Sequence, residues 1–508
     1  MDCDSIVKYL TFEPYDYQLS DVKNMIYAEK NGNGGINCNP TGTGKTIEFV
    51  LLVFSDLLSD STHKTLFISP NMRLIQQVKK EIQKINSPVP MKVFECLKSN
   101  EEIQKDCNIV LTTKKILIVN NFISDVEWYR VIFDEAHHIK NDTSVTRERL
   151  KALSFKKLWL VTATPDLNGY FDYKSLLKIF GRRKVFVIRN NKNAIFDRLE
   201  IPMLTERIIP ISLSEIEVKI YQRLLMSLKN AFDSDRVIWL IAVCLLRRFC
   251  DGTGINFGLN SLLENLISKC PKCEKQKNCL FFRCCRAIIC FKCVKRNEED
   301  LVFLCPNCLN RVSYIELFLH NSQREPISEL LEQNKKPTKI NALMEYLSRI
   351  KSRKVIVFTE WSRVASMVEE TLKKEQQKYK NIFRIDGKVR EKHRVLILDE
   401  FKNNPEPSIL VMTLKTGGEG LNIIESNHVV ILEPYWNYKT EQQAIDRVYR
   451  IGQTKNTYAA RFYIQGTIEE LLHEVQKEKL KDTNSKRVKT IINFSQLMGI
   501  FRRRYIQK

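Results

Sequence analysis

Two short strings carry residues whose types and spacing suit chemistry on a phosphate ester. Lys45 and Thr46 lie in CNPTGTGKTIEF (38 to 49), and about ninety residues later Asp134 and Glu135 follow the apolar run YRVIF. A phosphate cradle needs successive backbone N–H groups pointing inward at a helix N-terminus, a Lys that reaches the β/γ-phosphates and a hydroxyl for Mg²⁺. Gly42, Thr43, Gly44, Lys45 and Thr46 supply these, between a short strand GINC and a helical run IEFVLLVF. The pattern G-x-x-x-x-G-K-[ST] asks for Gly where Asn39 stands. That position ends the strand, and an Asn can take a turn conformation there. The second string completes the set: Asp134 at a strand end is suited to hold Mg²⁺ through water, and Glu135 to orient the attacking water. ATP and Mg²⁺ are the expected ligands.

A different chemistry is written in the middle of the chain. CPKC (270 to 273), CFKC (290 to 293) and CPNC (305 to 308) are three C-x-x-C turns, each presenting two thiolates to one metal. Nine of the fifteen cysteines fall between Cys270 and Cys308, which reads as Zn²⁺ ligation in a reducing compartment, not as a disulfide framework.

The elements that must position these groups follow from apolar patterning. Short β-branched runs alternate with amphipathic helical segments in two blocks, as in parallel sheets covered by helices. The first block gives GINC (35 to 38), TLFIS (65 to 69), NIVLTT (108 to 113), YRVIF (129 to 133) and KLWLVTA (157 to 163). The second gives KVIVFT (354 to 359), IFRIDG (382 to 387), SILVMT (408 to 413), HVVILE (428 to 433) and AARFYI (459 to 464). Residues 212 to 250 contain EIEVKIYQRLLMSLKNAF and RVIWLIAVCLLRRFC, whose apolar residues recur at helical spacing without Pro or Gly.

The 508 residues suggest roughly three or four domains. With 44% hydrophobic and 28% charged residues, no apolar run of 18 and no signal-like start, a soluble, unexported protein is expected, without a membrane partner. Lys plus Arg at 81 against Asp plus Glu at 59 leaves +22. Eight thiolates on two Zn²⁺ would lower this by about 4, so a basic excess remains that favours a polyanion such as nucleic acid.

The ordered set PYDYQ, GGINCNPTGTGKT, TLFISPNMRLIQQV, NIVLTT, WYRVIFDEAHHIKN, WLVTATPDLN, then KVIVFTEW, RIDG, VMTLKTGGEGLNI, EPYWN and QQAIDRVYRIGQT resembles the Swi/Snf-type DNA translocases of helicase superfamily two over roughly residues 13 to 475. The compact length and the cysteine insertion look most like the baculovirus global transactivator proteins, and the insertion also resembles that of RING-containing repair translocases. The resemblance implies an α/β fold of two RecA-like parallel-sheet lobes with a helical insertion and a small zinc module between them. It gives Gln18 the adenine, Lys45 and Thr46 the phosphates and Mg²⁺, and Asp134 and Glu135 the hydrolytic centre. It further implies that Thr162 and Thr164 couple hydrolysis to lobe movement, that Thr112 and Thr113 touch a phosphate backbone, and that Gly417, Gly418 and Gly420 approach nucleotide or DNA. Arg447 and Arg450, three apart on an expected helix, would reach across the cleft as arginine fingers. A RING-type cross-brace implies one zinc on Cys270, Cys273, Cys290 and Cys293 and another on Cys305 and Cys308 with two of Cys279, Cys284 and Cys285; Cys284 and Cys285 are the preferred pair. Three departures stand out: Thr43 for a usual Leu, TATP for TGTP, and no His in the cysteine segment.

The expected organisation is a first lobe over 1–205, a helical insertion over 206–265, the zinc module over 266–312, a helical linker over 313–336, a second lobe over 337–475 and a basic tail over 476–508. The resemblance implies a DNA-stimulated ATPase moving on duplex DNA largely without regard to sequence, as a monomer, in a nucleus (the host's if viral), with chromatin or transcription proteins as possible partners. A ubiquitin ligase with an ATPase motor and a strand-separating helicase are the alternatives.

Overall fold

The computed structural model describes residues 4–139, 144–165, 170–181, 184–228, 236–252, 337–375, 379–417, 421–481 and 494–505. Between 270 and 313 it describes 270, 272–274, 279–282, 285, 287–290, 293–294, 296–297, 302–308 and 311–313.

The first lobe is a sheet of seven strands: β1 (Gly34–Asn37), β2 (Thr65–Ser69), β3 (Val93–Cys96), β4 (Ile109–Thr113), β5 (Trp128–Phe133), β6 (Phe155–Val161) and β7 (Phe186–Ile188). All pair in parallel, in the order β3-β4-β2-β5-β6-β1-β7. The five expected runs are the five inner strands, with ends moved by a residue or two. They are legible because a strand covered on both faces must be apolar throughout. The two strands that patterning missed, β3 and β7, are the edges, short and only partly buried. The helix Lys45–Ser59 carries IEFVLLVF into one core with Trp159 and Phe67, while Ile36, Leu66, Val131 and Leu160 build the core on the other face.

The boundary expected at 205/206 falls inside a strand. Residues expected to open the helical insertion form β8 (Leu204–Ile211), which pairs in parallel with a strand of the second lobe along its whole length. It is an edge strand, which explains how Pro210 is accommodated without a ladder N–H. The helices Glu215–Ser227 and Arg236–Cys250 follow. In the cysteine-rich segment β9 (Cys279–Phe282) and β10 (Ala287–Cys290) form an antiparallel pair with Cys279 opposite Cys290, and β11 (Arg296–Asn297), β12 (Val302–Leu304) and β13 (Arg311–Ser313) form a small antiparallel sheet. The linker expected over 313–336 lies, after Ser313, outside the described residues.

The second lobe contains β14 (Lys354–Thr359), β15 (Asn381–Ile385), β16 (Ser408–Thr413), β17 (His428–Ile431) and β18 (Thr457–Ile464), ordered β15-β16-β14-β17-β18-β8 and parallel throughout. One of its cores is shared widely. Val355, Val357 and Phe462 pack in the same cluster as Tyr221 and Phe249 of the insertion helices and Cys270, Ile289 and Cys305 of the cysteine segment. The expected basic tail is also corrected: Ile468–Lys481 and Phe494–Tyr505 are helices, and Leu497, Ile500 and Phe501 are buried in that core. The apolar face of FSQLMGIF outweighs the charge of the three arginines after it.

Candidate nucleotide and inter-lobe site

The phosphate-loop string forms the expected strand–loop–helix. Gly42 and Gly44 have φ of 81° and 82°, a region that favours glycine, and Gly44 caps the helix Lys45–Ser59. A Cβ at Gly44 would lie 2.5 Å from Gln18 Nε2, and one at Gly42 would lie 2.6 Å from Cβ of Arg450 in the second lobe. Gly42 therefore serves both loop curvature and lobe contact. Lys45 Nζ donates to the carbonyls of Asn39 and Pro40 at 2.8 and 2.9 Å, which holds the ammonium over the loop. Burial pushes that ammonium's pKa down, against Glu135 and Asp134.

Asn39 has a physical role that the missing glycine concealed. Its Nδ2 donates to Asp21 Oδ2 at 2.7 Å and to Glu48 Oε2 at 3.2 Å, and its Oδ1 accepts from Asn190 N at 3.0 Å. The two carboxylates have further donors, Asn190 Nδ2 on Asp21 and Asn37 Nδ2 on Glu48. Burial pushes Glu48 up to about 8 and Asp21 in the same direction. This buried network ties the loop entrance to the helix Asp16–Asn31, the helix Lys45–Ser59 and the chain leaving β7.

Gln18, expected to read adenine, is buried; its Nε2 donates to the Thr43 carbonyl at 3.3 Å and its Oε1 accepts from Tyr15 N at 3.1 Å. Tyr17 Oη donates to the same carbonyl at 2.5 Å. Both side chains thus brace the loop from the helix Asp16–Asn31. Thr46 Oγ1 lies 3.5 Å from Gln77 Nε2.

Asp134 and Glu135 follow β5, and Glu135 has φ of 50°. Burial and then the Glu135 charge push the Asp134 carboxyl up to about 7. Burial opposes charge on Glu135 too, but His137, whose Nδ1 is 3.2 Å away, together with Arg447 and Lys45 holds its pKa down. A raised, buried acid facing Lys45 fits a divalent cation, which would relieve the like-charge crowding of the two carboxylates.

The second lobe meets this loop directly. DRVYR is not helical as expected: the helix Tyr438–Ile445 ends before Asp446, and 446–450 is a run of turns. Asp446 accepts from Thr41 Oγ1 and, at 2.6 Å, from Lys192 Nζ, both first-lobe groups. Arg447 is buried and acts electrostatically on Lys45 and Glu135. Arg450 packs on Gly42 and donates to the Leu421 carbonyl at 3.1 Å; burial and then Arg447 push its pKa down to about 10. Thr164 Oγ1 accepts from Gln443 Nε2 across the lobes at 3.2 Å, and Thr164 N donates to Thr162 Oγ1 at 3.2 Å. A cleft of about 580 Å³ beside the loop is lined by Pro40, Thr41, Thr164, Lys192, Gln443 and Asp446. Asp446 and Gln443 stood in the QQAIDRVYR string without a role assigned to them; Lys192 lies in no motif.

Two expected contacts are otherwise engaged. Thr112 Oγ1 donates to the Cys96 carbonyl at 2.8 Å, and Thr113 caps the helix Lys114–Val119. Gly417 lies where a Cβ would meet Phe358 at 2.4 Å, while Gly418 and Gly420 lie outside the described residues.

In the cysteine segment the thiols of Cys270, Cys273 and Cys293 gather within 4.8 Å of one another, and so do those of Cys285, Cys305 and Cys308. Thiolates at ~2.3 Å from a tetrahedral zinc stand about 3.8 Å apart, so both trios fit the ion. Cys284 lies outside the described residues, as do the side chains of Cys279 and Cys290.

Comparison with known proteins matches one domain within each lobe. Residues 17–185 match the SNF2-related domain and residues 338–452 the helicase conserved C-terminal domain. DNA repair protein rad8 of Schizosaccharomyces pombe is 23% identical over 88% of this chain and 51% of its own length. DNA repair protein RAD5A of Arabidopsis thaliana is 26% identical over 80% and 49%. The probable global transactivator of Orgyia pseudotsugata multicapsid polyhedrosis virus is 23% identical over 96% and 94%. The chain spans about half the length of these cellular relatives but nearly all of the viral one. The SWI2/SNF2 ATPase core of Sulfolobus solfataricus in complex with dsDNA is 19% identical, covering 93% of this chain and 92% of that one at a TM-score of 0.36. An SNF2-related domain followed, across a cysteine-rich insertion, by a helicase C-terminal domain places the chain in the Swi/Snf-type branch of helicase superfamily two.

Proposed function

We propose that the chain is a DNA-stimulated ATPase that moves along duplex DNA and acts on protein–DNA complexes in transcription or repair, in a nucleus. The observation that carries this is the bridge from loop to second lobe: Thr41 and Lys192 on Asp446, Gln443 on Thr164, and Arg450 on Gly42. A nucleotide at the loop is thereby linked to the position of the second lobe, as a stepping motor requires.

Bound ATP with Mg²⁺ supplies the transferable phosphoryl group and the cation that neutralises it. Lys45 and the backbone of 42–46 bind the phosphates, Thr46 and Asp134 hold the cation, and Glu135 orients water. Arg447, which acts electrostatically on Lys45 and Glu135, is proposed to offset charge developing on the phosphoryl group. DNA binding is proposed to run through phosphates, given the +22 charge. The two thiolate trios are proposed to hold structural Zn²⁺ that staples the insertion to the second lobe.

The test is turnover with no nucleic acid, single strands, duplex and RNA. Duplex should stimulate most, Lys45→Ala should abolish turnover, and Glu135→Gln should retain bound ATP without hydrolysis. Near-normal duplex-stimulated turnover in Lys45→Ala would refute the site. Unwinding of a forked substrate would favour a strand-separating helicase, and autoubiquitylation a ligase.

A further inference from the structure

A cavity of about 970 Å³ has no part in the site above. It opens at the amino-terminal edge of the second sheet, where β14, β17, β18 and β8 begin with Lys354, His428, Thr457 and Leu204. Thr359 and Glu433, on the inter-lobe side, stand at the other edge, about 20 Å away for a six-residue strand. Six cations line the cavity: Arg207, Arg349, Lys351, Arg353, Lys354 and Lys455. Glu425 is the one acid among the lining residues and lies 3.9 Å from Lys402. Arg349 pairs with Glu345, and Arg353 donates to the Pro405 carbonyl at 2.6 Å. Burial, Lys455 and Arg353 push the Lys354 ammonium's pKa down, with Glu425 opposing. So much like charge around one concavity costs self-repulsion that a bound polyanion would relieve.

The lining also has an aromatic face. Tyr458 is 37% exposed and stacks on His428 with ring centroids 5.7 Å apart. His428 is fixed from behind by Tyr346 Oη at 2.7 Å and Ser352 Oγ at 3.2 Å. Asn404 and Asn427 add amide donors and acceptors at the rim. Cations for phosphates beside a ring for a base are what an unpaired nucleotide stretch uses, whereas an acidic peptide would leave the ring unused.

From these features we propose that this cavity is a second nucleic-acid site, which takes a short stretch of single strand by its phosphates with one base on Tyr458. It does not rest on the translocase reading.

The probe is a twelve-nucleotide iodouracil-containing DNA strand, photocrosslinked to the full chain and mapped by mass spectrometry. Crosslinks should fall on Tyr458 or His428. The triple variant Arg207→Glu, Lys351→Glu and Lys455→Glu changes three exposed residues outside the ATP machinery. It should lose those crosslinks, weaken strand binding by at least about tenfold, and flatten the plot of log affinity against log salt by about 2 for three lost contacts. Its melting temperature and DNA-free ATPase should match wild type. Crosslinks only elsewhere, with strand binding unchanged, would overturn the proposal. So would a polyglutamate peptide whose binding the triple variant loses while strand binding persists. A wild type that crosslinks at Tyr458 but shows no duplex-stimulated turnover would refute the translocase reading and leave this one standing.

Discussion

Asn39→Gly restores the ordinary phosphate-loop pattern, and it should nonetheless destabilise the first lobe. The substitution removes one charge-assisted bond to Asp21, one ordinary bond to Glu48, which burial keeps mostly protonated near pH 7, and the acceptor for Asn190 N. A hydrogen bond to a charged group contributes about 1.5–3 kcal/mol and an ordinary one about 1 kcal/mol. Asp21 keeps Asn190 Nδ2 and Glu48 keeps Asn37 Nδ2, so the lower end applies to the first, for a total of about 2.5 kcal/mol. In a domain of this size that is roughly 5–10 °C of melting temperature. Asn39→Asp keeps the volume but replaces the donor with a third acid facing two buried ones, and should be worse than Gly. The assay is thermal and urea unfolding of both variants, followed by circular dichroism with and without ATP and Mg²⁺. If Asn39→Gly melts within about 2 °C of wild type and Asn39→Asp is no worse, the network is incidental and the loop needs only a turn former at that position.

The arginine turn predicts unequal losses. Arg447→Ala should lower DNA-stimulated turnover by something on the order of 10³-fold with little change in ATP affinity. Arg450→Ala keeps the Cβ that packs on Gly42 and loses the bond to the Leu421 carbonyl, so it should lower turnover less; equal, mild losses in both would remove the closure mechanism's chemical support. Protein purified without chelator should contain about two zinc per chain. Because Cys270 and Cys305 share a core with the second sheet, chelation or Cys305→Ser should lower the second lobe's melting temperature and spare the first's. Zinc near zero with an unchanged, protease-resistant second lobe would refute that coupling.

What was legible in the sequence shares one physical property: it is local. Phosphate binding needs a glycine-flanked Lys and a hydroxyl within one turn of chain, so GTGKT is readable without knowing the fold. Inner strands covered on both faces must be apolar throughout, and each expected one formed. Paired thiolates at C-x-x-C spacing likewise declare a metal turn, and three from each expected group of four came together among the described residues.

Tertiary structure decided whatever depended on partners far along the chain. Edge strands β3, β7 and β8 are specified by pairing as much as by pattern, and β8 crosses into the other lobe's sheet. The arginine turn begins at Asp446, whose carboxylate meets Thr41 and Lys192, both more than 250 residues away. Asn39 looked like a defect in a motif until Asp21, Glu48 and Asn190 were brought around it. In each case the residue satisfies a buried charge or an unpaired backbone group that folding itself creates, so the requirement exists only after distant segments have met.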